Sequence, residues 1–357
     1  MKKRVFGLTI MLIFFIAGTV MAGEKEAVLQ PSEAIDLALE NSVQLKIAEK
    51  ERDNAEINYE ISKAEELDSR SRYDRLQAEL DLDRARENYE SEKEDLIITV
   101  VEDYMEIMSR QKELKIMEKQ EELRKSQLEI AESQYESDHI GQLDLTDARH
   151  DLENIESDLK YNRRELERLK EEYREKLGFE KEGVLKLEEI ESPEVMEGTE
   201  EEIIEEIEAN SFNLEVEKRE KELAEIDKEK GEASGASSLE LSKLENDLDV
   251  AEHELTEARR DVHSSALSQY NSFRRAAERM KMSKEELEQE KENFDISRKQ
   301  HQSGSKSETE LLTAEVELLE AESSYNDAVV EYLSAELKLK QSLGQDLGSE
   351  YDDQLAE

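Results

Sequence analysis

Catalysis needs groups that converge, and the residues able to act as acids, bases or ligands are spread along this chain without converging. Asp and Glu supply 94 of the 357 residues. Neighbours such as Glu121-Glu122 and Glu200-Glu201-Glu202 therefore read as solvated helix faces rather than acid–base pairs. The five histidines are scattered. Two of them, His139 and His301, fall in segments that read as turns, where a shared end could bring the imidazoles together to bind a metal or sense pH. The stretch Gly231 to Gly235 lacks the following Lys-Ser/Thr and the preceding strand of a phosphate loop. No catalytic residue, cofactor or metal site is assigned, and the chain reads as a non-enzyme.

What must position any functional group is the pair of turns themselves. In Tyr135-Glu-Ser-Asp138-His139-Ile140-Gly141-Gln-Leu-Asp144 a charged helical pattern stops at small and polar residues and restarts at an acid followed by Leu. The stretch His301-Gln-Ser-Gly304-Ser305-Lys-Ser307-Glu-Thr-Glu310 repeats this 166 positions later. The same offset carries Tyr104 onto Tyr270, Leu152 onto Leu318 and Leu177-Gly178 onto Leu343-Gly344. The chain is an internal duplication.

The composition agrees with long helices. Hydrophobic residues make up 36% and charged residues 40%, with 2 Pro, 12 Gly and no Trp, a profile of coiled coils rather than of a large globular core. Met1-Lys2-Lys3-Arg4 and the apolar run Val5 to Val20 read as a signal peptide over residues 1–22, with Val20-Met21-Ala22 a cleavage site. The run falls short of the roughly 20 apolar residues of a spanning helix. Cysteine is absent, so an exported chain takes no support from disulfides and draws its stability from helix seams. A net charge of −45 repels nucleic acid and anionic lipid, both of which require Lys and Arg to replace counterions.

Helical spacing predicts three helices per half. The first runs from Ser32, a candidate N-cap, to about Lys63, the second from about Ser71 to Tyr135, and the third from about Asp144 to Leu177 with Gly178 as a left-handed cap. The second spans roughly 65 residues, on the order of 95 Å, so the two shorter helices can stack end to end along it. The second half repeats this at about 199–230, 238–301 and 308–343, where Asn210-Ser211 matches Asn41-Ser42 at an offset of 169. Turns are expected over Glu65–Arg72 and Lys230–Ser238. The fold class is all-α, in two tandem three-helix repeats of long antiparallel coiled-coil helices. The predicted boundaries are 1–22 signal, 23–178 first repeat, 179–198 linker, 199–344 second repeat and 345–357 acidic tail. Within the linker, Val184, Leu185, Leu187 and Ile190 could form a short strand, but it reads as ordered linker. Tyr89, Tyr104, Tyr135, Tyr270, Tyr325 and Tyr332 are expected to pack in helix seams.

These residues resemble the TolC-like outer-membrane efflux family. Its opening helix pattern reads through Leu29 to Leu45, with Ala34-Ile35, Ala38-Leu39, Asn41 and Leu45 in place. Its turn pattern matches at Tyr135, Ile140, Asp144, Leu145 and Ala148, and again at Gly304, Ser307, Glu310, Leu311, Leu312 and Ala314. The closing Leu-Gly occurs twice. Asp138 and Gly141 depart from the family's Gly and Ser, although Asp tolerates the left-handed conformation. The family's membrane barrel strands, each of about nine to eleven residues, have no room in either expected turn. The resemblance therefore implies a TolC-like helical barrel whose β-barrel is missing.

It further implies an exported protein of the cell envelope, in the periplasm or at the outer membrane, forming a homo-oligomeric duct, a trimer by resemblance. The duct would serve an efflux system with a periplasmic adaptor protein and an inner-membrane transporter, and would reach the membrane through these partners rather than a spanning segment of its own. The turn residues Asp138, His139, Ile140, Gly141, Asp144, Gly304, Ser305, Ser307 and Glu310 would meet the adaptor. The alternative is a periplasmic coiled-coil spacer or adaptor-like binding protein that conducts nothing.

Overall fold

The computed structural model describes residues 27–69, 72–178, 185–187 and 198–347, with Pro193, Val195 and Met196. The predicted signal peptide, most of the 179–198 linker and most of the acidic tail lie outside the described residues. The first repeat consists of α1 (Pro31–Asn41), α2 (Val43–Ser69), α3 (Arg72–Glu136) and α4 (Gln142–Leu177); the second of α5 (Glu200–Asn210), α6 (Phe212–Ser234), α7 (Ser238–Gln302) and α8 (Glu308–Ser342). The rods α3 and α7 are 65 residues each. Among the described residues no helix is long and apolar enough to cross a membrane.

Each repeat thus has four helices where three were predicted, because the first is broken at Ser42 and at Ser211. Both serines are extended (ψ 121° and 109°), and each hydroxyl accepts the N–H three residues on, from Leu45 at 3.1 Å and Leu214 at 3.4 Å. A short polar side chain that captures the backbone in this way ends one helix and starts the next. The preceding asparagine completes the joint. Asn41 donates its amide to the carbonyl of Leu177 at 2.9 Å, and Asn210 does the same to Leu343 at 2.7 Å. The half-length helices therefore meet end to end along the rod, and orphan carbonyls at the ends of α4 and α8 are satisfied.

Two further boundaries differ. The α1 helix begins at Pro31, one residue ahead of the predicted cap Ser32, and α2 and α6 run to Ser69 and Ser234, well into the segments expected to be turns. Glu65, Glu66 and Leu67 in the one segment and Lys230, Glu232 and Ala233 in the other are good helix formers. Only residues 70–71 and 235–237 remain between these helices and the rods, so membrane strands have no room there.

Burial is concentrated in a belt around the joints. In the first repeat Ala34, Ile35 and Ala38 pack on the α3 stretch Ile97 to Met108 and on Tyr173 and Leu177. In the second, Ile203, Ile204 and Ile207 pack on Ala266 to Met280 and on Ala328, Tyr332 and Leu343. Tyr104 and Tyr173 meet edge-on with centroids 6.4 Å apart, and the buried Tyr104 hydroxyl donates to Leu29 O at 2.9 Å. That contact anchors β1 (Ala27–Leu29), which pairs in parallel with β2 (Leu185–Leu187), Leu29 opposite Leu187. The linker residues thus supply a strand after all. Leu29 and Leu187 are both buried, and a two-stranded pair survives only by packing on such a core.

Away from the belt the seams thin to small clusters, Leu80 with Val216 and Leu223 towards one end and Leu123 with Leu312 and Val316 towards the other. Of the predicted seam tyrosines, Tyr104, Tyr270 and Tyr332 are buried. Tyr89 and Tyr325 are half-buried, Tyr89 beneath the Arg52 guanidinium. Tyr135 is exposed, because it sits on the last turn of α3 beyond the final apolar contact. The repeats join through α8, which packs on both α7 and α3, and through α6, which packs on α7 and α3.

The joint yields a test. Gly178 has φ +63°, and a Cβ there would lie 2.7 Å from Asn41 Cγ. Gly235 has φ +71° but open space around it. Gly235→Ala is expected to lose about 1 kcal/mol, the left-handed penalty alone. Gly178→Ala is expected to lose about 2–3 kcal/mol, since it also displaces the asparagine bond. Urea denaturation followed by circular dichroism measures both.

Candidate functional site: the paired turn tips

The rods end in turns of the same geometry built from different residues. In the first, Asp138 takes the left-handed conformation (φ 56°). Its N–H donates to Tyr135 O at 3.0 Å, and the His139 N–H donates to Gln134 O at 2.8 Å. In the second, Gly304 (φ 74°) donates to His301 O at 2.9 Å and Ser305 donates to Gln300 O at 2.8 Å. Both are the six-residue closures that satisfy the last carbonyls of a helix.

The exits differ. At the second tip Ser307 and Glu310 form a reciprocal cap. Ser307 N–H donates to Glu310 Oε2 at 2.8 Å and Glu310 N–H donates to Ser307 Oγ at 3.3 Å, and these bonds hold the Glu310 carboxyl below its usual range. At the first tip only half survives: Gly141 N–H donates to Asp144 Oδ2 at 2.9 Å, and glycine has no side chain to return the bond.

The sequence-predicted residues gather at one end of the molecule. Ser307, Glu308 and Thr309 line a cleft of about 370 Å³ with Ser126, Ile130, Ser133 and Gln134 of α3, so the second tip lies against the final turns of the first hairpin. His139 and Asp138 are exposed and Ile140 is half-buried. His301 is occupied within its own turn, its Nδ1 3.2 Å from Lys306 O, while Lys306 donates to the buried Ser297 hydroxyl at 2.9 Å. Among the described residues no group of His, Cys, Asp and Glu is placed to hold a metal.

A second polar feature was not anticipated. A cleft of about 690 Å³ opens between the repeats at the belt, lined by Glu87, Glu90, Glu94, Asn210, Gln269 and Asp346. Burial, reinforced by Glu87 and Glu90, pushes the Glu94 carboxyl up to about 7 against the pull of Gln341 and Lys93. Burial raises Glu87 as well. The helical spacing of 87, 90 and 94 was visible in the sequence; that α8 would fold over them was not.

The paired hairpins of long helices, repeated twice, define a TolC-like all-α fold. Residues 234–345, from the end of α6 through α8, match the outer membrane efflux protein family. CmeC, an outer-membrane channel of Campylobacter jejuni, superposes with a TM-score of 0.59 at 12% identity over 91% of this chain and 88% of its own. The outer-membrane protein VceC of Vibrio cholerae does so with 0.59 at 12% identity, over 88% and 96%. The open MtrE channel of Neisseria gonorrhoeae does so with 0.58 at 14% identity, over 89% of each. At such identities the likeness establishes the fold. None of the curated proteins compared with the chain matches its sequence.

Two outcomes are expected. Asp138→Gly should stabilise the chain by about 0.5–1 kcal/mol, because glycine adopts the left-handed conformation without a Cβ clash, and thermal melting measures the gain. The folded state binds a proton at Glu94 more tightly than the unfolded chain, so this group adds stability as pH falls from 8 through 7 towards the ordinary carboxylate range. Glu94→Gln should therefore raise stability at pH 8, by on the order of 1 kcal/mol after solvent screening, and narrow the difference between melts at pH 8 and pH 5.5.

Proposed function

We propose that this protein is an exported component of an efflux system of the cell envelope, a homo-oligomeric, trimeric duct that passes cargo passively. Energy comes from an inner-membrane transporter, reached through a periplasmic adaptor protein. The reading is supported above all by the match of residues 234–345 to the outer membrane efflux protein family on a chain whose two halves share one architecture. Asp138, His139, Ile140, Gly141 and Asp144 of the first tip, with Gly304, Ser305, Ser307 and Glu310 of the second, form the surface for the adaptor. Because α2 joins α3 and α6 joins α7 through bends of two and three residues, the duct reaches the membrane through partners.

A strain lacking the chain is expected to lose export of its cargo at least several-fold and to regain it when the wild-type chain is supplied. The combined change His139→Ala, Ile140→Ala and Ser305→Ala leaves the turn backbone bonds in place and should fail to restore export. Undiminished export in the deletion strain would favour the coiled-coil spacer instead, and full rescue by the triple variant would remove the tips from the interface.

A further inference from the structure

A further cleft, of about 640 Å³, lies where α5 and α6 pack on α7, and its charge is opposite to that of the chain. Lys218 comes to it from α6 and Arg259, Arg260 and His263 from α7, while α5 supplies Glu205 and Glu208. Glu208 is engaged, its Oε1 2.6 Å from His263 Nδ1. Lys218, Arg259 and Arg260 are exposed and hold no ion pair among the described residues, in a chain with 94 acids.

The local sequence explains why these cations stay free. On a helix a basic residue meets the acids three or four positions away. Around Arg259 those positions hold Leu255, Thr256, Val262 and His263. Around Lys218 the acids are Glu215 and Glu222, and both are taken, by Arg219 at 2.7 Å and by Arg72 at 2.8 Å. The first repeat has no such patch. At the repeat offsets Lys218, Arg260 and His263 fall on Glu49, Glu94 and Ile97. Arg259 falls on Lys93, which is held by Glu90 at 3.8 Å and by Asp346 at 3.5 Å. The basic cleft belongs to the second repeat alone, so the duplicated fold does not account for it.

We propose that this cleft binds a soluble phosphate ester, its phosphate held by Arg259, Arg260 and Lys218 and its organic part lying on Ala209 and Leu214. Three fixed positive charges stand against one carboxylate without a partner, Glu205. The excess matches the charge of about −1.5 to −2 on a phosphate monoester, whereas a carboxylate needs a single cation. Guanidinium forks meet two phosphate oxygens at once, and lysine adds a point charge. The volume is that of a small-molecule site. A membrane is a poor source of the phosphate, because a net charge of −45 repels an anionic surface. A small solute inside the cleft feels mainly the cations beside it, since charges beyond about 8 Å are screened at physiological salt. The site is a property of the single chain and does not depend on the duct.

Titration calorimetry on the full-length chain, in a buffer free of phosphate, provides the test. Phenyl phosphate is expected to bind at least tenfold more tightly than benzoate. Arg259→Gln with Arg260→Gln should weaken phenyl phosphate at least tenfold, and Lys218→Gln several-fold. Arg274→Gln with Arg275→Gln, an adjacent pair elsewhere on α7, should leave it within about twofold. All of these side chains lie at the surface, and unchanged melting checks the fold. No heat from the wild-type chain, benzoate bound as tightly as phenyl phosphate, or an equal loss in the Arg274 and Arg275 variant overturns the site. Binding confined to phosphatidylglycerol vesicles overturns the soluble ligand. If phosphate does not bind and the Arg259 and Arg260 variant instead loses oligomers in sedimentation, the cations serve contact between copies and the site is overturned.

Discussion

A helix ends with four carbonyls that have no partner inside it, and this protein's architecture follows from how two such ends are met. One long rod can be braced by two half-length helices only if their ends abut, and abutting ends bury unsatisfied polar groups. Asn41 and Asn210 resolve this with one side-chain amide each, given to the carbonyls of Leu177 and Leu343. Gly178 leaves room for that amide, as the 2.7 Å approach of a hypothetical Cβ to Asn41 makes plain. Once the joint is fixed, the apolar residues on either side of it face the same stretch of rod. The belt core, with Tyr104 and Phe273 at its centre, is the result.

Beyond the belt the rods behave differently. Their neighbours are charged, and many of their ion pairs join residues three or four apart on one helix, as in Lys119–Glu122 and Arg298–Asp295. Such exposed pairs contribute little individually. Apolar contact there shrinks to groups of three buried side chains, so the ends of the rods depend on being tied to the belt and on neighbouring helices. A net charge of −45 adds self-repulsion that weakens as salt rises.

Much of this was legible in the sequence because duplication makes weak signals corroborate one another. The rods, the tips and the Gly178 and Gly344 caps all lie within a residue or two of where their spacing put them, and Asp138 takes the left-handed conformation that an Asp at that place implied. What was not legible depends on tertiary partners. Ser42 and Ser211 look like ordinary helix residues until a third helix ends opposite them. Three-residue strands such as Leu185–Leu187 carry no periodicity, and their pairing with Ala27–Leu29 spans more than 150 residues of chain. The carboxylates of the belt cleft, Glu87, Glu90 and Glu94, have the same spacing as many solvated acids nearby. Only the fold of α8 over α3 separates them from the rest.

The two repeats are alike in backbone and unlike in surface, and the difference has a physical cause. The helix α8 is sandwiched between α7 and α3 and buries Ala328, Val329, Tyr332, Leu337 and Leu339 along its second half. Its counterpart α4 packs chiefly on α3 and α1 and buries Leu159, Leu166, Tyr173 and Leu177 over the equivalent stretch. At the equivalent positions α4 carries Asn162, Arg163 and Glu171 where α8 carries Ala328, Val329 and Leu337. A helix that is always covered as the chain folds can trade charge for apolar contact. The same asymmetry holds between α6, whose Val216 and Leu223 are buried against Leu80, and α2, whose Val43, Ile47, Ile57 and Ile61 remain exposed in the single chain. Val43 with Ile47 and Ile57 with Ile61 each stand one helical turn apart, so α2 carries two short apolar steps at its surface where α6 buries its apolar residues.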